Sequence, residues 1–153
     1  LIEGTNLSEG RGTALPFEIC GAPFIDGDAL AAGLNALALP GVRYRPHVFT
    51  PTASKWAGEV CAGVQAHIVD ASYRPLLAWV AVIREIRRLY PDHFAWLPPY
   101  AGAQHGHFEL LAGGAMLRAQ IEADAPLAEM GAEWDMAAAA WQSLCEGVWL
   151  YAR

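Results

Sequence analysis

Apolar residues recur at helical spacing in some stretches of the chain and alternate with polar ones in others, and this divides it into elements. Residues 1–15 carry Gly4, Gly10 and Gly12 among Thr, Asn and Ser, and read as loop. Residues 17–25 are apolar and predict a short strand, kinked by Gly21 and Pro23. Asp26 or Asp28 can cap a helix that carries Leu30, Leu34 and Leu37, and Pro40-Gly41 ends it. Residues 42–50 alternate and predict a strand, with Pro46 marking an edge position or a bulge. Residues 51–58 read as a polar turn. Residues 59–69 form the next strand, with Val64, Ala66 and Ile68 on one face and Glu59, Cys61, Gln65 and His67 on the other.

Pro75 opens the clearest helix, where Leu76, Leu77, Val80, Ile83, Ile86 and Leu89 make a broad apolar stripe. Arg84, Glu85, Arg87 and Arg88 fall on its solvent side, and Pro91 stops it. Residues 92–107 read as an irregular loop. Two more helices follow, over 117–123 and 127–145, with Trp134, Ala137, Ala138, Trp141 and Leu144 as the inner face of the second. The six Trp residues read mostly as core, and so do Cys20 and Cys145. The apolar run Val148-Trp149-Leu150-Tyr151 predicts a terminal strand. Together these elements specify an α+β single domain, with a small mixed or antiparallel sheet packed against helices on one face. Polar residues concentrate in the first 70 positions, so a helical back supports a polar, loop-rich front.

Composition narrows the functions available. The chain has 153 residues, 54% of them hydrophobic, which suits one packed domain and argues against disorder. No apolar run is long enough for a membrane span. A net charge of −6 disfavours nucleic acid as a partner, since phosphate binding needs a basic face. Three Cys cannot complete a disulfide framework. One count stands out: of 10 basic residues nine are Arg, and Lys55 is the only lysine. Codon bias toward Arg and Ala explains why lysine is scarce, but not why one is kept at this position. The chain starts at Leu1 with neither Met nor a signal-peptide pattern, and is expected to be a fragment of a longer protein.

Two polar segments could carry chemistry. Glu3, Thr5, Asn6, Ser8, Arg11 and Thr13 are interleaved with glycines that let a backbone approach a ligand closely. No Gly-Lys-Ser/Thr follows, so this is not a phosphate loop, and no cofactor is implied. The second segment, 49–59, offers Thr50, Thr52, Ser54 and Lys55 beside the flat face of Trp56, a combination suited to carbohydrate. The bland alternative is a solvated surface loop for the first segment and a decorated turn between two strands for the second. Glu59 and Gln65 continue the second segment. Cys61 with His67 could make a thiol nucleophile, although a half-buried structural Cys is the commoner case. His93, His105 and His107 lie in a loop with no fixed scaffold, so no metal site is expected.

Residues 3–13 (Glu-Gly-Thr-Asn-Leu-Ser-Glu-Gly-Arg-Gly-Thr) followed by 16–26 (Pro-Phe-Glu-Ile-Cys-Gly-Ala-Pro-Phe-Ile-Asp) resemble the NamZ-type exo-β-N-acetylmuramidases. Residues 39–59, 61–67, 87–92 and the Leu150-Tyr151 ending extend the match over most of the chain. The resemblance is to the smaller C-terminal domain of that family. It implies a partner, an N-terminal Rossmann-like catalytic domain of the same protein that holds the catalytic acid. The implied activity releases terminal N-acetylmuramic acid from peptidoglycan fragments, with this domain helping to form the saccharide cleft. It implies an extracytoplasmic setting and an isolated domain without activity. No catalytic residue is assigned here. The expected substrate contacts are Glu3, Thr5, Asn6, Ser8, Arg11, Thr13, Thr52, Ser54, Lys55, Glu59 and Gln65, with Arg11 or Lys55 reading the lactyl carboxylate. The alternative is a non-catalytic domain that only packs on its partner and stabilises it.

Overall fold

The computed structural model describes residues 1–150. Its centre is a three-stranded antiparallel sheet in the order β1 (Ile19–Ala22), β3 (Cys61–Ile68), β2 (Val42–Phe49). The strand expected over 17–25 is therefore only four residues long: Phe17 has a φ of 67° and turns the chain instead of extending it. Strands β2 and β3 pair without a bulge from Val42 opposite Ile68 to Phe49 opposite Cys61. Glu59 precedes β3 and so does not share a strand face with Cys61, Gln65 and His67.

Strand β2 is an edge, as Pro46 requires, and the edge is protected. Pro46 has no N–H to offer. At Tyr44 the Asn35 side chain takes both backbone groups: its amide donates to the Tyr44 carbonyl (2.7 Å) and its oxygen accepts from the Tyr44 N–H (3.0 Å). Asn35 belongs to α1 (Gly27–Ala36), which packs across β2 and β3. Asp26 caps α1, its carboxylate accepting from the N–H groups of Asp28 and Ala29. Leu30 and Leu34 are buried as their spacing requires, whereas Leu37 lies past the helix end and is exposed.

Helix α2 (Pro75–Leu89) completes the core through Leu77, Val80, Ile83 and Ile86, each worth about 1.5–3 kcal/mol of burial. Leu76, placed in the same stripe by periodicity, is exposed. Three residues expected on the solvent side of α2 are placed otherwise. Glu85 is buried close to Gly33 of α1 and accepts from Arg88 (2.7 Å). Arg84 donates to the Ala125 carbonyl (2.7 Å), and Arg87 reaches the Ile121 carbonyl, so both hold the C-terminal end of α4 (Met116–Glu122). A short helix α3 (His107–Ala112) was not legible as one. Its Phe108 is buried, in ring contact with Trp96.

The last helix, α5 (Leu127–Cys145), has the predicted length but not the predicted burial. Met130 and Gly131 are its only buried residues. Arg74 ties its first turns to the body, donating to the Gly131 carbonyl (2.9 Å) and pairing with Asp135 (2.6 Å). Trp134 is half-buried, but Ala137 and Ala138 are exposed, as are Trp141 (65%) and Leu144 (77%). The spacing correctly groups residues on a face; nothing in the described chain covers that face beyond the first turns. Val148, Trp149 and Leu150 form no strand, and Tyr151 lies outside the described residues. None of the six Trp is fully buried, although Trp56, Trp79, Trp96 and Trp134 pack against the core. Cys20 is buried and Cys145 is partly exposed.

Candidate functional site

The opening segment is not a solvated loop. Ile2–Gly4 makes one tight helical turn, and Thr5, Leu7, Ser8, Glu9 and Gly10 that follow are buried. Its polar side chains satisfy its own backbone. The Thr5 hydroxyl donates to the Ile2 carbonyl (2.7 Å) and accepts from the Leu7 N–H (3.2 Å). Ser8 accepts from the Gly10 N–H (3.2 Å), and Thr13 donates to the Gly10 carbonyl (2.7 Å). Asn6 joins the segment to the loop after α2, its amide donating to the His93 carbonyl (2.8 Å) and its oxygen accepting from the Ala95 N–H (3.0 Å). Gly4 lies so close to Phe108 that any Cβ would overlap its backbone. Gly12 combines a φ of 77° with a close approach to Thr52, whose hydroxyl donates to the Gly12 carbonyl (2.8 Å).

Lys55 is the pin that joins the two polar segments. Its ammonium donates to the carbonyls of Ile2 (3.1 Å) and Thr5 (3.0 Å) and lies 2.8 Å from Glu9 Oε2. On either side of it, Ser54 (φ 66°) and Trp56 (φ 60°) adopt the left-handed conformation, which L side chains avoid. Such strain persists only where the surroundings over-determine it. Here the contacts of Lys55 do so, together with the bond that the Trp56 indole N–H donates to the Asn6 carbonyl (2.6 Å). Lysine, as a compact donor of three hydrogen bonds, fits three acceptors converging on one point.

Glu9 is the hub of the cluster, and no pattern in the sequence singled it out among the carboxylates. It is 2% exposed and lies between two cations, Lys55 on Oε2 and Arg11 Nε on Oε1 (2.6 Å). Burial alone would raise its pKa, but the contacts with Lys55 and Arg11 outweigh burial and hold it below its ordinary value. Two sequence signals could have found it: a sole lysine that needs a partner, and an acid two residues before an arginine. Arg11 also pairs with Glu3, and its guanidinium lies over the Phe17 ring at 5.1 Å. Unlike Lys55, Arg11 is substantially exposed.

Beside this cluster lies a cavity of about 320 Å³. Its walls are Ile2, Phe17, Ile19, Leu76 and Trp79, with Glu3 and Glu9 contributing polar groups. An apolar hollow with a few convergent polar groups is the usual form of a small-molecule site. Of the expected substrate contacts only Glu3 lines it; Thr5, Asn6, Ser8, Arg11, Thr13, Thr52 and Lys55 hold the two polar segments together beside it. Ser54 is an exposed, strained turn residue in that neighbourhood. Glu59 is exposed beyond the turn. Gln65 is buried on the sheet and accepts from Arg45 Nε (3.0 Å) and Nη2 (2.6 Å), so it belongs to a different group.

A thiol-based site finds no support. Cys61 is fully buried, and burial pushes its thiol up to about 11, with nearby Glu59 adding to the effect. Burial likewise pushes Cys20 up to about 12. A nucleophilic Cys needs the reverse shift. Among the described residues, no group of three His, Cys, Asp or Glu side chains could hold a metal ion. No helix among them is long and apolar enough to cross a membrane.

With this geometry in place, comparison with known proteins adds the following. A family described as the C-terminal part of the exo-β-N-acetylmuramidase NamZ matches residues 1–151. Peptidoglycan β-N-acetylmuramidase NamZ of Bacillus subtilis (strain 168) is 46% identical over 123 residues, 80% of this chain and 28% of the relative. The crystal structure of a DUF1343 family protein from Bacteroides fragilis NCTC 9343 superposes with a TM-score of 0.78 at 28% identity. That match covers 96% of this chain and 38% of the other. A second DUF1343 protein of the same organism shares the fold, with a TM-score of 0.56 at 22% identity over 98% of this chain and 38% of its own. The chain thus spans between 28% and 38% of the length of these relatives.

Proposed function

The chain belongs to the family of NamZ exo-β-N-acetylmuramidase C-terminal domains, and from that premise we propose that it forms one wall of a saccharide cleft in a peptidoglycan-degrading glycosidase. The other wall and the catalytic acid come from an N-terminal domain of the same protein. The substrate is a peptidoglycan fragment ending in N-acetylmuramic acid, and cleavage takes place outside the cytoplasm or during recycling of cell-wall material.

The observation that carries this reading is the exposed Arg11 guanidinium, held by Glu3 and Glu9, two carboxylates that line the apolar hollow. N-acetylmuramic acid differs from N-acetylglucosamine by a lactyl carboxylate, and a pre-oriented guanidinium is the group that reads a carboxylate. Lys55 is not the reader. Its ammonium is spent on two carbonyls and Glu9, so it positions the segment that presents Arg11. Thr5, Asn6, Ser8 and Thr13 act in the same way, through the backbone.

The local carboxylates support a binding role over an acid-base one. A glycosidase needs a carboxylic acid kept protonated near neutral pH. Glu9 is held ionised between two cations, which is the wrong state for that task. Glu3 is committed to Arg11.

The test uses the full-length enzyme with Arg11→Ala, assayed on an N-acetylmuramoyl glycoside and its N-acetylglucosaminyl counterpart. Loss of a charge-assisted contact should lower kcat/KM on the first by about ten- to a hundred-fold, or about 1.5–3 kcal/mol. The second should change little. Equal losses on both substrates would remove the carboxylate-reading role. Loss of stability without any change in KM would favour a domain that only packs on its partner.

A further inference from the structure

We infer that edge strand β2 carries a second site, in which the exposed Arg43 and Arg45 bind an extended acidic peptide through carboxylates on alternate residues. The evidence begins with where the charges are paired. Among the described residues Lys55, Arg11, Arg74, Arg84, Arg87, Arg88 and Arg118 each form an ion pair with a carboxylate. Arg43 and Arg45 form none, in a chain with 16 acidic residues and a net charge of −6. These two are neighbours on one face of β2, both exposed.

Their surroundings are built for an incoming anion. Arg45 Nε and Nη2 both donate to the buried Gln65 side chain, which fixes the guanidinium and leaves Nη1 uncommitted. Arg43 donates from Nη1 to the Val42 carbonyl and stands opposite His67 in the strand register. Asp70 is close enough to feel the charge of Arg43, but its carboxylate is taken by the Ser72 hydroxyl and N–H. His47 follows Arg45 on the same face, stacked on Phe49. Burial and the charge of Arg45 hold its imidazole below the ordinary value, so at neutral pH it offers a hydrogen bond and not a third charge.

Spacing selects the ligand class. Residues two apart on a strand face lie about 7 Å from each other. Side chains on alternate residues of an extended peptide have the same spacing, so two carboxylates can each meet one guanidinium. The peptide is not held as an added strand, because Pro46 and Asn35 block the outer edge of β2. Side chains alone read it.

The test measures binding of an alternating Glu-Ala octapeptide to the full-length protein, with a Gln-Ala octapeptide and inorganic phosphate as comparators. The Glu-Ala peptide should bind and the Gln-Ala peptide should not. R43Q/R45Q should weaken binding at least tenfold and lower the melting temperature, because Gln65 loses its Arg45 partner, whereas R43Q alone should weaken binding with an unchanged melting temperature. Arg88→Gln, which removes an exposed arginine already paired with Glu85, should leave binding intact. Equal binding of the Gln-Ala peptide, or unchanged affinity in R43Q/R45Q, would overturn the site. Phosphate binding as tightly as the peptide at these arginines would overturn the peptide assignment. Saccharide turnover is not the readout, so the outcome is independent of the cleft reading.

Discussion

The opening segment and the last helix invert each other. Residues 1–13 are polar and glycine-rich, yet most are buried and serve as structural interior. The end of α5 is apolar and alanine-rich, yet it stands in solvent. Composition alone would assign each the opposite place. The difference lies in what satisfies each one. In the opening segment Thr5, Ser8 and Thr13 hydrogen-bond its own backbone and Glu9 is held by the charges of Lys55 and Arg11, and a buried polar network satisfied in this way is rigid. In α5 the apolar face has no covering layer among the described residues, so its side chains contribute little to this domain's stability.

That contrast can be broken by mutation, and the largest effect should come from the sole lysine. Lys55→Met leaves Glu9 buried with one cation and releases the carbonyls of Ile2 and Thr5. A buried pair broken on one side typically costs about 3–5 kcal/mol, with the remaining Arg11 contact favouring the lower end. Chemical denaturation should show it as a lower midpoint with an unchanged slope. Next comes Gly4→Ala, where overpacking against Phe108 should cost about 1–3 kcal/mol and lower the melting temperature.

Glu9→Gln should cost about 1.5–3 kcal/mol at neutral pH and also reshape the acid limb. Because Glu9 is shifted down in the folded protein, the unfolded chain binds its proton more readily. Its contribution is therefore complete above its ordinary value of 4.5 and is lost as pH falls through the lower folded value. Stability measured across that range should fall less steeply in Glu9→Gln than in the parent. The smallest effect should come from the other region. Trp141→Ala, a loss that would cost several kcal/mol in a core, should change stability by no more than about 0.5 kcal/mol. A large cost there would mean that the face of α5 is covered after all.

The same contrast explains what could be read from the chain beforehand. Helices α1 and α2 were legible because their apolar spacing coincides with a stop or start signal, Pro40-Gly41 for one and Pro75 for the other. For strand β2 Pro46 left an edge position or a bulge open, and the strand is an edge without a bulge. Periodicity reports which residues share a face but not what covers that face, so Trp141 and Leu144 were grouped correctly and placed wrongly. Burial of a loop leaves no periodic trace either. The inward turn of Thr5, Ser8 and Glu9 depends on Lys55, some fifty residues away, and on the loop after α2. The same distance hid the hub. Arg11 and Lys55 were recognisable as candidates by their setting, whereas Glu9, which organises both, looked like any other surface carboxylate. Arg43 and Arg45 differ from the other described arginines in making no ion pair.

Native-state hydrogen exchange at the Ser8 amide tests the contrast most directly. That N–H donates to the Gly21 carbonyl (2.8 Å), tying the opening segment to β1. The expected result is exchange of Ser8 only through global unfolding, at the rate of the central amides of β3, while amides in the last turns of α5 exchange through local opening. Exchange of Ser8 as fast as that of an exposed loop, or α5 amides as slow as β3, would contradict a buried polar front and an uncovered apolar end.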